Sequence, residues 1–169
     1  MESPSFLKHL RDIFLLPFTV TFIVPYFLYV YEVKDGLIPH SLGIKLTGWL
    51  IAVAGSALFV YTVFLFKILG QGTLAPWQPT QKLIVEGPYR YCRNPMILGV
   101  FFMLIGEGLM LYSVNIIAWS VLFFIINTFY FILFEEPGLM QRFGSDYHRY
   151  KKHVPRWLPR LTPFRLLNS

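Results

Sequence analysis

Two stretches of the 169-residue chain concentrate side chains able to hold a ligand and steer a reaction: EGPYRYCRNPMILG at 86–99 and FEEPGLMQRFGSDYHRYKKHVPR at 134–156. Arg90 and Arg93 offer guanidinium forks that match a carboxylate. Glu135 and Glu136 accept hydrogen bonds from hydroxyls or an ammonium group, and a carboxylate can also take a proton in a reaction. Tyr89, Tyr91, Tyr147 and Tyr150 present faces suited to a cation or a flat ring. Together these groups suit a ligand carrying a carboxylate, an ammonium, hydroxyls and a ring.

The two stretches are far apart in sequence, so something must bring them together. An uncharged turn at Tyr112 to Asn115 joins two apolar runs and makes them an antiparallel hairpin. Positions equidistant from residue 113 then come level, and Glu135 and Glu136 reflect onto Tyr91 and Arg90 to within about one helical turn.

The hairpin belongs to a chain that composition places in a bilayer. Hydrophobic residues make up 55% and aromatic residues 18% of the sequence, more apolar surface than one small soluble core can hide. Four runs nearly free of charge, at 13–31, 46–66, 96–112 and 114–134, each approach the ~20 residues that cross a hydrocarbon core. The expected fold is therefore all-α: one polytopic membrane domain over 1–169 with four transmembrane helices. The first run follows Lys8 and Arg11 as a signal peptide would, but its length, Pro17, Pro25 and lack of a small-x-small site favour a retained helix. Small residues Gly48, Ala52, Gly55 and Ser56 share one face of the second helix and predict close packing.

The formal charge of +6 is concentrated beside the spans, which argues against nucleic acid as a partner. Lys8 and Arg11 precede the first span. Lys67, Lys82, Arg90 and Arg93 lie between the second and third. Arg142, Arg149, Lys151, Lys152, Arg156, Arg160 and Arg165 follow the fourth. The opposite side has only Lys34 and Lys45. The positive-inside rule puts both termini and the middle loop in the cytoplasm. That loop, 69–95, is rich in Gly and Pro yet holds Leu74, Trp77, Leu83, Ile84 and Val85, and predicts an ordered cytoplasmic linker. Pro137, Gly144 and Pro155 punctuate a helical cytoplasmic tail at 135–160. Cys92 is the single cysteine, and His9, His40, His148 and His153 form no i, i+4 pair, so no metal is expected. Glu107, inside the third run, is expected to reach the outer interface or pair with Ser120.

The two opening stretches resemble the signature segments of the isoprenylcysteine carboxyl methyltransferase and phospholipid methyltransferase superfamily, over about residues 71–156. The first segment there reads Gly-Pro-Tyr-Arg followed by Arg-His-Pro or Arg-Asn-Pro. The second is a Glu-Glu pair followed by Phe-Gly and spaced tyrosines. The resemblance implies an integral-membrane enzyme using S-adenosylmethionine, with the cofactor between the linker, the hairpin base and the tail. It implies that Tyr89, Arg90, Arg93, Asn94, Pro95 and Leu98 line the cofactor pocket, with Gly99 allowing close approach. Glu135 and Glu136 would bind cofactor polar groups or orient the substrate, and Tyr147, Tyr150 and Arg156 would close the pocket. Asn94 stands where His is frequent and Ile97 where Tyr is frequent, so roles needing an imidazole or a phenol there are not carried over. The implied partners are the bilayer and a lipophilic or lipidated acceptor: a prenylcysteine-like carboxylate, a phospholipid amine or a thiol. An NADPH-dependent isoprenoid or sterol reductase and a non-enzymatic membrane scaffold stay open as alternatives, as does the oligomeric state.

Overall fold

The computed structural model describes residues 14–33, 37–70 and 82–166, with side chains from residue 17 onward in the first of these. Every regular element among them is helical. The first, α1, is π-wound over Phe14–Ile23 and α-helical over Val24–Val30. Then come α2 (Leu42–Leu69), a 3₁₀ turn (Gly87–Arg90), α3 (Pro95–Met110) and α4 (Val114–Tyr130). A π turn (Phe131–Glu135) carries α4 directly into α5 (Glu136–His153). Lys8, Arg11, Lys34, Leu74 and Trp77 lie outside the described residues.

Three of the helices start where local chemistry accounts for their free N–H groups. Ser41 Oγ accepts from Ile44 N at 3.2 Å at the start of α2, and Ser113 Oγ does the same for Ile116 N in α4. Pro95 opens α3, where its missing N–H costs nothing. The α3–α4 turn needs Tyr112 at φ +53°, a strained setting for a bulky residue. Its hydroxyl, donating to Ser41 O at 2.9 Å, and its ring, stacked on His40, hold it there.

Two helical runs among the described residues are long and apolar enough to cross a membrane, Leu42–Leu69 and Val114–His153; Pro17–Val30 and Pro95–Met110 are apolar but shorter. The second run has 40 residues, and its unbroken part up to Phe143, about 45 Å of helix, is longer than a ~30 Å hydrocarbon core. The sequence predicts a fresh helix opening at Pro137. Pro137 does sit in the first turn of α5, which the backbone enters through the π turn without a gap, and the expected break comes at Gly144, whose φ of +49° suits glycine. Below it, Val85, Tyr147, Tyr150 and Val154 form a small core outside the apolar bundle.

The predicted small-residue face of α2 is its contact with α3. A Cβ on Gly55 would lie 2.7 Å from Gly99 O, and one on Gly106 would lie 2.6 Å from Gly48 O. These backbones touch, and no side chain fits between them. Gly106→Leu is therefore expected to force α2 and α3 apart and cost at least about 1–3 kcal/mol. A melt of the detergent-solubilised variant checks this; an unchanged Tm would contradict the close crossing. Glu107 does not pair with Ser120, whose hydroxyl donates to Ile117 O at 2.6 Å.

Candidate functional site

The 3₁₀ turn and the residues after it form the floor of the site. Gly87 adopts φ +54°, and a Cβ there would lie 2.8 Å from Leu65 Cδ1. The next residues are stitched to the segment after α5, which runs back along them as a strap. Arg93 N donates to Pro155 O at 2.9 Å, Arg160 N to Tyr91 O at 3.0 Å and Phe164 N to Arg90 O at 3.0 Å. Cys92 Sγ points at Arg156 O and Trp157 O, 3.1 and 3.3 Å away. Burial pushes its thiol up to about 11 despite the Asn94 backbone hydrogen bond and the Arg93 charge, so Cys92 is a structural donor and not a thiolate nucleophile. Tyr150 Oη donates to Tyr89 O at 2.6 Å, which ties α5 to the same turn.

At the junction lies Glu136, its side chain only 4% exposed. Oε1 accepts from Arg93 Nη1 and Arg156 Nε, both at 2.7 Å, and Oε2 meets Lys151 Nζ at 2.8 Å. Arg93 Nη1 also reaches Tyr147 Oη at 3.3 Å. Desolvation acts to raise the Glu136 pKa, but the hydrogen bonds from Arg156 and Lys151 and the charges of Arg93 and Arg156 outweigh it and hold the carboxyl below its usual range. Glu136 stays ionised and is poorly suited to accept a proton. Arg93 Nε and Arg90 Nη2 are both buried with no hydrogen-bond partner.

Arg93 borders a cavity of about 460 Å³. Its polar end is made by Tyr89, Arg93, Asn94, Glu135, Tyr147 and Tyr150. The rest of the wall is mainly apolar, with Met96, Ile97 and Val100 from α3, Trp119, Phe123 and Ile126 from α4, Phe59 and Phe66 from α2, and Pro17 and Val20 from α1. The residues expected from sequence thus divide. Tyr89, Arg93, Asn94, Glu135, Tyr147 and Tyr150 meet at one end of one cavity.

Arg90, Pro95, Leu98, Gly99, Glu136 and Arg156 are not part of its wall. Arg90 faces the strap, where its Nε donates to Phe164 O at 2.9 Å. Gly99 makes its close approach to α2, where a Cβ would lie 2.8 Å from Phe59 N. Once Pro95 starts a helix, Met96, Ile97 and Val100 take the cavity face, so Pro95 and Leu98 point elsewhere. Glu136 and Arg156 sit behind Arg93, joined to it through the Glu136 carboxylate. Glu135 is looser, 3.5 Å from Arg142 Nη2 and 29% exposed.

The α4 wall was missed in the sequence because a wholly apolar helix gives no contrast between faces. Asn127, which lines the cavity and donates to Phe123 O at 2.8 Å, was the polar residue that could have marked it. Lys151, the third cation on Glu136, had no distinguishing spacing.

Comparison with known proteins adds an independent line. The nickel-cobalt-cadmium resistance protein NccN of Alcaligenes xylosoxydans xylosoxydans is 30% identical over 84 residues, covering 50% of this chain and 39% of that protein. The protein-S-isoprenylcysteine O-methyltransferase of Mus musculus is 37% identical over 82 residues, covering 47% and 28%. Methanethiol S-methyltransferase 2 of Bradyrhizobium diazoefficiens is 28% identical over 131 residues, covering 71% and 46%. The matched stretches span less than half of each of these relatives. No solved structure matches the chain. The phospholipid methyltransferase family model matches residues 42–146, a span that takes in α2, the Gly-Pro-Tyr-Arg turn, the α3–α4 hairpin and both glutamates, and by that match the chain belongs to the phospholipid methyltransferase family.

Proposed function

We propose that the chain is an integral-membrane methyltransferase that uses S-adenosylmethionine to methylate a lipophilic acceptor at the cytoplasmic face. The observation that carries the reading is one cavity whose polar end, bordered by Arg93, Asn94 and Glu135, runs into an apolar wall between helices. The polar end fits the cofactor. Arg93 and Asn94 suit a carboxylate, Glu135 suits an ammonium or ribose hydroxyls, and the tyrosines suit an adenine ring or a sulfonium. S-adenosylmethionine supplies a methyl group already activated on sulfur, so the protein's task is alignment and exclusion of water. Glu136, with Arg156 and Lys151, is a positioning residue that fixes Arg93 against the cavity. The apolar wall holds the acceptor's hydrocarbon part.

In this reading α1 and α3 also span the bilayer, beside the two longer runs, and both termini are cytoplasmic. Lys82, Arg90, Arg93, Arg149, Lys151 and Arg156 gather at the end of the bundle opposite Ser41 and Tyr112, in keeping with the positive-inside rule. The acceptor's head group sets the proton chemistry. An ionised carboxylate or thiolate needs no base. An amine must lose a proton, and Glu135 on the cavity wall is the group placed to take it. The mouse relative is named for O-methylation of isoprenylcysteine and the Bradyrhizobium relative for S-methylation of methanethiol. Labelled methyl transfer by the full chain in nanodiscs, to carboxylate, amine and thiol acceptors across pH, tests the reading. Transfer to none of them by folded protein would overturn it.

A further inference from the structure

The strap that follows α5 carries Trp157, Leu158 and Leu161, and the two leucines face outward. Leu158 is 80% and Leu161 99% exposed, whereas Arg160 between them is half-buried. Arg160 turns toward the protein: its backbone N–H donates to Tyr91 O at 3.0 Å and its Nη1 to His153 O at 3.1 Å. A loop surrounded by water would place the charge outward and the leucines inward.

Trp157 fixes the depth at which this happens. Its ring lies 4.7 Å from that of Phe124 and 6.0 Å from that of Phe131, both in the apolar run that continues into α5. Phe131 is five and Phe124 twelve residues before Glu136. The indole therefore sits roughly 7–18 Å past Glu136 toward the α3–α4 turn, and one leaflet of hydrocarbon is about 15 Å deep. Next to Phe131 in the π turn, Ile132, Leu133 and Phe134 are 41%, 59% and 67% exposed, so the apolar surface that the strap meets is itself turned outward. Arg156, the residue before Trp157, stays with the Glu136 carboxylate.

We propose that residues 157–161 are a re-entrant membrane anchor, with Leu158 and Leu161 seated among the acyl chains of the leaflet on that side. The partner is the bilayer, because the leucines continue the outward apolar surface of the π turn. This rests on the integral-membrane part of the reading above and not on methyl transfer. The strap hydrogen-bonds Arg90, Tyr91 and Arg93 and supplies Arg156 to Glu136. Lipid contact at the two leucines thereby keeps the floor of the site assembled.

The test uses the full chain in phosphatidylcholine nanodiscs. Cys92, the single cysteine, is buried, so an environment-sensitive fluorophore can be placed selectively. It is attached in turn to Leu161→Cys, to Lys152→Cys on the exposed surface of α5, and to Ile125→Cys, 45% exposed on α4. The label at 161 should be quenched by doxyl groups on lipid acyl chains and shielded from aqueous iodide, as at 125, and the label at 152 should show the reverse. Leu158→Gln/Leu161→Gln should speed protease cleavage after α5 by at least about fivefold, and Leu158→Ile/Leu161→Ile should not. Iodide quenching at 161 would overturn the proposal. So would protection there from both quenchers, as contact with a second copy of the chain would give, or equal cleavage of the Gln and Ile pairs. Absence of doxyl quenching at 125 would instead mark failure of the integral-membrane reading itself.

Discussion

Glu136→Gln is expected to be among the most damaging single substitutions in the chain. It leaves Arg93, Arg156 and Lys151 converging on a neutral amide, and removing one partner from a buried ion cluster costs about 3–5 kcal/mol. The lower end applies here because Lys151 is 43% and Arg156 23% exposed, and solvent screens part of the repulsion. Cofactor binding should fall as well, since Arg93 loses the contact that fixes it. The pH dependence has a defined sign. The Glu136 pKa is lowered in the folded state, so its contribution is fully present above the unfolded value of about 4.3 and is lost as pH falls through the folded value. The stability gap between wild type and Glu136→Gln, from denaturant unfolding in detergent, should be constant from neutral pH down to about 5 and close below about 4. Equal stability at neutral pH, or a gap that persists in acid, would contradict the ion-cluster account.

Arg93→Ala should separate binding from folding. Glu136 keeps Arg156 and Lys151, so the cluster survives, while the guanidinium that borders the cavity is gone. Loss of a charge-assisted hydrogen bond to a ligand carboxylate is worth about 1.5–3 kcal/mol, or about 10- to 150-fold in affinity. Arg93→Lys should not restore it, because an ammonium cannot reproduce the fork. Arg90→Ala provides the contrast. Its Nε holds Phe164 O in the strap, so that variant should shift affinity less than about threefold while making the segment after α5 easier to cleave with protease. Equal losses of S-adenosylhomocysteine affinity in Arg90→Ala and Arg93→Ala would contradict the division made by the cavity wall.

Much of this arrangement is legible in the sequence, and the errors have physical causes. Folding the hairpin about residue 113 put Glu136 opposite Arg90 to within about one helical turn, and its partner Arg93 lies inside that margin. The three-residue offset arises because residues 91–94 are not helical, and a rise of 1.5 Å per residue does not apply there. The motif arginines looked equivalent by type and spacing; only the strap, a run after His153 with no periodic signal, distinguishes Arg90 from Arg93. Gly99 read as a cradle for a ligand because a glycine marks close approach without saying to what. Burial of Glu136 among three cations was hidden for a similar reason, since Arg93, Lys151 and Arg156 converge only when α5 folds against the 3₁₀ turn. The small-residue face of α2 was readable because Gly48, Ala52 and Gly55 recur at helical spacing, which is itself the packing geometry.

The central claim is that the polar end of this cavity is a cofactor site for S-adenosylmethionine. Calorimetric titration of the purified full chain with S-adenosylhomocysteine, and separately with NADPH, tests it most directly. Saturable one-to-one binding of S-adenosylhomocysteine, weakened at least tenfold in Arg93→Ala, with no heat from NADPH, is the predicted result. Binding of NADPH in its place, or no binding of S-adenosylhomocysteine to protein shown to be folded by its cooperative melt, would contradict the account.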